Sequence, residues 1–214
     1  MGDKMESDFG QRLALRALLA KIACGIVFLS SLAMAALDFG QLTGSIDFYY
    51  ISAQQLAAIQ AFGVGYIVAF FVSMILVAMW IHRAHDNLRR ADLDGEFTPG
   101  WAVGWYFVPF ANLVKPYQAM RELWNRSMGN VDAEAVRTPP ILPIWWGGWI
   151  GGNILGNIAA RISDITNPEV YTLSLGLGLV SEMLTILSAV LLFILIARIT
   201  QAQSEGLGVG QVFA

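Results

Sequence analysis

The chain has 214 residues, of which 56% are hydrophobic and only 14% are charged, and its formal net charge is −3. Soluble domains carry about 25% charged residues, so this composition and a mean hydropathy of +0.57 indicate a chain dissolved mostly in lipid. The negative charge and the lack of a basic stripe argue against nucleic-acid binding. Cys24 is the only cysteine, so no intramolecular disulfide is expected, and its thiol is predicted to be a small buried filler.

Four apolar runs, each close to bilayer length, dominate the sequence. A helix rises about 1.5 Å per residue, so about 20 apolar residues cross the hydrocarbon core of a bilayer. The runs occupy residues 17–37, 61–81, 141–160 and 171–197. They predict an all-α fold, an integral membrane four-helix bundle that forms a single domain over residues 1–214. The alternative, a soluble bundle of four buried helices, would require polar helix faces that the second and third runs hardly show.

The distribution of basic residues predicts the orientation of the four spans. If both termini are cytoplasmic, eleven of the 13 Lys and Arg residues lie on the inner side, while the outer loops, about 38–60 and 161–170, carry mainly acidic residues. Lys and Arg are enriched in cytoplasmic loops, so this count decides the topology. The seven tryptophans all fall near the predicted inner interface, where an indole ring can hydrogen-bond while it remains in an apolar environment.

The segment 82–140, on the predicted cytoplasmic side, is more than a loop. The second helix is predicted to continue as far as Arg90, where a polar break at residues 92–96 follows. The fourteen residues Trp101–Val114 are almost wholly apolar but too short to span a membrane. Because Pro109 interrupts any helix there, we predict an interfacial amphipathic or re-entrant segment between the second and third spans.

A short amphipathic helix is predicted after this apolar segment, over residues 117–128. Met120 and Trp124 are four residues apart and share one side of that helix. Arg121 and Glu122 are adjacent and do not face each other, so each is expected to pair elsewhere, for instance with a charged side chain of the second helix.

Two strings in this region carry a family resemblance. WIHRAHDNL at residues 80–88 and PGWAVGWYFVPFANLVKPYQAMRELW at residues 99–124 resemble the bacterial multi-pass membrane family catalogued as domain of unknown function 4328. The resemblance implies a protein of the bacterial cytoplasmic (inner) membrane and transfers no activity. The matching positions are Arg83, Asn87, Pro99, Gly100, Trp101, Trp105, Pro109, Asn112, Pro116, Tyr117, Arg121, Glu122 and Trp124.

A candidate intramembrane polar site involves Glu182, near the middle of the fourth run. An ionised carboxylate there costs at least about 2.5 kcal/mol unless it is paired or protonated. Asn153, Asn157 and Arg161 form one polar stripe on the third helix. We predict a hydrogen bond between Glu182 and Asn153 in the bundle interior. Such a site either holds the helices in register or couples a proton or substrate to transport.

Small residues recur every four positions in two of the runs, which predicts close packing of helices within the chain and leaves dimerisation open. They are Gly148, Gly152, Gly156 and Ala160 in the third run, and Gly65, Ala69 and Ser73 in the second.

We find no catalytic motif in the sequence, and no enzyme activity, cofactor or metal is expected. His82, His85 and Asp86 have a spacing that suits metal ligands, but a polar turn beside the membrane is the favoured interpretation. The predicted function is a membrane scaffold or interaction protein that contacts lipid or a partner. The alternative is a small proton- or solute-coupled transporter or channel component using Glu182. Expected partners are the lipid bilayer, anionic lipid headgroups, and a second copy or another membrane protein.

Overall fold

The computed structural model describes residues 2–47, 50–93, 95–130 and 137–209, without the side chains of residues 2–11 and 206–209. Within these ranges the chain is helical and contains no β-strand. Six α-helices follow in order: α1 (Gly2–Leu42), α2 (Ala53–Arg90), α3 (Pro99–Gly104), α4 (Lys115–Ser127), α5 (Ile141–Ile162) and α6 (Pro168–Val209). Two short 3₁₀ turns, Trp105–Phe107 and Ala111–Leu113, separate α3 from α4. The prediction of an all-α fold is therefore confirmed.

Among the described residues, three helices are long and apolar enough to cross a membrane. The qualifying stretches are Arg12–Leu42 in α1, Ala53–Arg90 in α2 and Pro168–Glu205 in α6. The predicted third span forms α5 with nearly its predicted limits, but α5 is not among these three helices. Glycines, tryptophans and two asparagines occupy many of the positions in α5.

The helices are longer than the apolar runs, so the loops predicted on the outer side are shorter than expected. The first of these connections covers residues 43–52 rather than 38–60, which places Asp38 inside α1. A capping box starts α2: the Ser52 hydroxyl accepts from the Gln55 backbone N–H at 3.2 Å, and the Gln55 side chain accepts from the Ser52 backbone N–H at 2.9 Å. This reciprocal pair satisfies two N–H groups that a helix start leaves open.

The chain divides into two compact units. Unit 1 comprises Met1–Ala23, Ser73–Ile144 and Leu191–Ala214, and unit 2 comprises Cys24–Val72 and Trp145–Val190. The long helices α1, α2 and α6 contribute to both units, whereas α3 and α4 belong to unit 1 alone.

Unit 1 has a core of large apolar side chains. Trp80 is 0% exposed, and its indole N–H donates to the Thr200 hydroxyl at 3.1 Å. Trp80 is thus a core residue, which differs from the interfacial ring that the tryptophan pattern predicts. Other large side chains that are fully buried in this unit are Leu13, Leu88, Met120, Leu123, Leu142, Leu195, Ile196 and Ile199.

A buried amide network joins three helices of unit 1. The Gln203 side chain on α6 donates to the Ala84 carbonyl of α2 at 3.1 Å and to the Ser127 hydroxyl at the end of α4 at 3.0 Å. Its oxygen accepts from the Asn87 amide at 3.2 Å. Because each of these groups is buried, the network fixes the relative register of the three helices in this unit.

Unit 2 is packed through small residues, as the glycine pattern of α5 predicts. A Cβ atom at Gly152 would lie 3.3 Å from the Ser181 carbonyl oxygen, and one at Gly148 would lie 3.3 Å from the Leu184 carbonyl oxygen. The Ser181 hydroxyl donates to the Gly152 carbonyl at 2.8 Å, so α5 and α6 approach backbone to backbone. The pattern in α2 behaves differently, because Gly65 is exposed with nothing within 4 Å of its Cβ position.

Candidate functional sites

The segment between α2 and α4 is built as a broken helix. The Thr98 hydroxyl caps α3 by accepting from the Trp101 N–H at 3.4 Å, and Pro99 occupies the first turn, where its missing N–H has no cost. The chain then tightens into a 3₁₀ turn and breaks at Pro109. Phe110 follows with φ 62° and ψ −41°, a conformation that residues other than glycine rarely adopt. The predicted interruption at Pro109 is confirmed.

This segment presents apolar side chains outward. We call the side chains of Trp101, Phe107, Phe110, Leu113 and Val114 the apolar surface. Phe110 is 86% exposed and Phe107 is 72% exposed. The ring centroids of Trp101 and Trp105 lie 4.8 Å apart, as expected for residues one helical turn apart on a shared side. Exposed large apolar side chains are thus concentrated in one short segment.

A cation and a carboxylate flank the apolar surface. The Lys115 ammonium lies 5.4 Å from the Phe97 ring centroid and 5.9 Å from the Trp105 ring centroid, which is cation–π range. The same ammonium is 3.5 Å from the Glu96 carboxylate. These contacts tie the start of α4 to the loop before α3.

Glu122 on α4 clamps that loop. Its two carboxylate oxygens accept from the backbone N–H groups of Glu96 at 2.8 Å and Phe97 at 3.1 Å. Gly95 lies so close that an added Cβ would overlap the Glu122 carboxylate. The predicted pairing of Glu122 with a charged group of α2 is thus replaced by two backbone bonds. Sequence spacing carries no signal for it, since the partners are more than twenty residues away.

The amphipathic helix predicted after the apolar segment is α4. Met120 and Trp124 are both buried on its inner side, as predicted, together with Pro116. Tyr117, Arg121 and the nearby Asn112 are partly exposed. The buried side chains of Pro116, Met120 and Trp124 therefore anchor α4 under the apolar surface.

The charged end of α2 forms a tight cluster. Arg83 is buried and donates to the Asp86 carboxylate at 2.9 Å, and Arg90 donates to the same oxygen at 3.0 Å. Nδ1 of His85 lies 3.0 Å from the Ile81 carbonyl of its own helix. Across the described part of the chain, no group of three or more His, Cys, Asp or Glu side chains is arranged to hold a metal ion.

Glu182 lies in a polar cluster within unit 2, but its partners differ from those predicted. The Tyr66 hydroxyl of α2 donates to the Glu182 carboxylate at 3.3 Å, and the hydroxyls of Tyr66 and Ser31 lie 3.2 Å apart. Ser31 on α1 is fully buried. Sequence reasoning missed Tyr66 and Ser31, because each is a single polar residue in an apolar run with no periodic signal.

Asn153 and Asn157 face away from this cluster. Both side chains are exposed, and each donates at 2.8 Å to the carbonyl four residues earlier in α5, Trp149 and Asn153 respectively. The predicted hydrogen bond between Glu182 and Asn153 is therefore wrong. The glycine face of α5 packs against α6, and the asparagines lie about 100° further round the helix.

Arg161 is also exposed, at the end of α5. The carboxylate of Asp164, in the following loop, accepts from the hydroxyl and backbone N–H of Thr166 at 2.7 and 2.9 Å. These bonds stabilise the charged form and hold the pKa of Asp164 below its usual value.

These features define a helical protein in which three described helices could cross a membrane and a broken segment with exposed apolar side chains separates α2 from α4. Residues 43–201 match the family described as Domain of unknown function (DUF4328). The chain belongs to that family, and the resemblance carried by the two strings is confirmed. No curated protein and no solved structure matches the chain.

Proposed function

We propose that the protein is a four-pass scaffold or interaction protein of the bacterial inner membrane, with α1, α2, α5 and α6 as its spans in chain order and both termini in the cytoplasm. It acts by binding rather than by catalysis, and its apolar surface inserts into the inner leaflet among lipid headgroups, anionic ones included. The observation that carries this proposal is the exposure of Phe107 and Phe110 at the tip of a segment too short to span. Large aromatic side chains in such a position gain free energy when they leave water.

The depth of Phe110 in the bilayer tests this proposal. A spin label is attached to the cysteine of the Phe110→Cys variant in a Cys24→Ala background, and the labelled protein is reconstituted in lipid vesicles. We expect strong relaxation by dissolved oxygen and weak relaxation by a water-soluble nickel complex. The matched control is Ser204→Cys, an exposed position on the same predicted side of the membrane, which should show the reverse. Equal relaxation of both labels by the nickel complex would contradict the proposal.

The orientation is tested separately with impermeant labelling of tags at the two ends of the chain. In right-side-out vesicles, whose lumen corresponds to the cytoplasm, both tags should react only after the membrane is permeabilised. Tags on opposite faces would exclude an even number of spans.

A second candidate function, proton- or solute-coupled transport, is favoured by the Glu182 cluster. Ionisable side chains inside membrane spans commonly mark functional sites. The Glu182 carboxylate, which accepts a hydrogen bond from the Tyr66 hydroxyl within an apolar helix, is such a side chain. Asp38 adds a second carboxylate in unit 2, because a Cβ at Gly178, one turn before Glu182, would lie 2.9 Å from its Oδ2 atom. Glu182→Gln should abolish any proton flux into vesicles that contain a pH dye, whereas the control Glu169→Gln at the start of α6 should retain it. A flux that persists in Glu182→Gln would remove this candidate.

A further inference from the structure

A cavity of about 130 Å³ lies in unit 1, between the end of α2, the loop before α3, and α4. Its volume corresponds to about four water molecules in the liquid. It therefore admits a group of a few heavy atoms and excludes a peptide or an acyl chain. The lining residues are His85, Leu88, Arg89, Gly95, Phe97, Thr98, Pro99 and Glu122.

His85 offers this cavity a hydrogen-bond acceptor. Because a carbonyl only accepts, the 3.0 Å contact with the Ile81 oxygen places the ring proton on Nδ1 and leaves Nε2 of the neutral ring as an acceptor. His85 is 3% exposed, and with the proton on Nδ1 the Nε2 atom meets no hydrogen-bond donor among the described residues, because the Ala119 carbonyl beside the ring can only accept. A buried acceptor in this state is costly unless a donor reaches it.

The cavity also carries one charge of each sign. Glu122 uses each oxygen once, for the N–H groups of Glu96 and Phe97, and a carboxylate oxygen can accept more than one bond. Arg89, at the end of α2, is exposed and lies at the rim. Acceptors inside and a cation outside are complementary to a ligand with an N–H donor at one end and an anionic group at the other.

We propose that this cavity binds a 2-aminoethyl phosphate group, with its ammonium donating to Glu122 and to Nε2 of His85 and its phosphate beside Arg89. The need for N–H donors discriminates against a trimethylammonium group, which has none. The group can come from an ethanolamine phospholipid or from free phosphoethanolamine. The lipid source deepens the proposed function, because Thr98 and Pro99 lead from the cavity into α3 and the apolar surface.

Binding is measured by titration calorimetry on the full chain in detergent without phospholipid. Phosphoethanolamine should bind saturably, and phosphocholine should bind at least about tenfold more weakly, the loss expected for a charge-assisted hydrogen bond. Glu122→Gln should weaken phosphoethanolamine binding by a similar factor. The matched control, Glu96→Gln, removes a neighbouring carboxylate that does not line the cavity and should bind like the wild type.

A second arm uses nanodiscs that contain equal amounts of ethanolamine and choline phospholipid, with the lipids retained after gentle extraction counted by native mass spectrometry. Selective retention of the ethanolamine lipid that is lost in Glu122→Gln identifies a headgroup as the source, even if free phosphoethanolamine does not bind. Should Glu122→Gln fail to fold, Arg89→Gln decides, since this exposed side chain has no place in the core. Three results would each overturn the inference: equal binding of both headgroups in both arms, wild-type binding by Glu122→Gln or Arg89→Gln, and no binding in either arm. The depth of the Phe110 label is independent of these results, so the two proposals fail separately.

Discussion

The two compact units bury different kinds of side chain. Unit 1 encloses large apolar residues such as Trp80 and Leu123, together with the amide network around Gln203. Unit 2 buries mostly alanines, serines and glycines between helices, while Val64, Ile67 and Phe71 point outward. Close approach of small residues under an apolar exterior is typical of helices in lipid, where the burial of leucine between helices contributes little free energy to their association. The comparison shows that unit 2 packs its helices mainly through small residues, whereas unit 1 is held together mainly by large apolar side chains and buried amides.

The largest expected effect is a steric one in unit 2. Gly152→Leu should destabilise the protein by about 3 kcal/mol, because a Cβ at this position already meets the Thr185 hydroxyl at 3.2 Å and the Ser181 carbonyl at 3.3 Å. Thermal unfolding in detergent measures the change. The control is Gly147→Leu in the same helix, where nothing lies within 4 Å of the Cβ position. Equal losses in the two variants would mean that unit 2 does not depend on the glycine contact.

In unit 1 the corresponding test is polar. Gln203→Leu keeps the side-chain size but leaves Asn87 and Ser127 without their buried partner, which should cost about 2 kcal/mol of unfolding free energy. Gln201→Leu, on the exposed side of the same helix, serves as its control in the same unfolding assay. If the two leucine variants were equally stable, the amide network would not be what holds unit 1.

A smaller and local effect is expected at the loop before α3. Gly95→Ala would push the Glu122 carboxylate out of position and weaken its bonds to the Glu96 and Phe97 amides, at a cost of about 1 kcal/mol. Hydrogen exchange of those two amides should accelerate. Gly100→Ala, which has open space at its Cβ position, should leave their exchange unchanged. Unaltered protection in Gly95→Ala would show that the clamp does not order the loop.

The smallest effect is the coupling between Tyr66 and Glu182 in unit 2. A double-mutant cycle with Tyr66→Phe and Glu182→Gln should give a coupling of about 0.6 kcal/mol, the average for hydrogen bonds between membrane helices. The same cycle with Tyr171→Phe, whose hydroxyl bonds Gln41 instead, should give a coupling near zero. A large coupling for the Tyr171 pair would mean that the cluster extends along the helices.

Helices could be predicted from this sequence because hydrophobic length and proline are local signals. The runs that became α1, α2, α5 and α6, and the break at Pro109, depend on neighbouring residues alone. Helix ends could be predicted less well, because α1 continues through the polar residue Asp38 and ends only at Leu42.

The sites were less predictable because they depend on how helices rotate against each other. The α5 sequence carries a glycine stripe and an asparagine stripe, and one helix cannot turn both toward α6. The contact with Ser181 selects the glycines, which leaves Asn153 outside. The cavity beside His85 likewise exists only because α4 returns to the end of α2.

The unusual backbone of Phe110 has a consequence for the choice of residue at this position of the chain. A residue held at φ 62° without glycine's freedom costs about 1–3 kcal/mol, and here the side chain packs against almost nothing in the chain. A glycine at this position would remove the backbone strain, but the aromatic ring would be lost. Backbone strain therefore favours glycine at this position, whereas the proposed insertion of an aromatic ring into the inner leaflet favours Phe110.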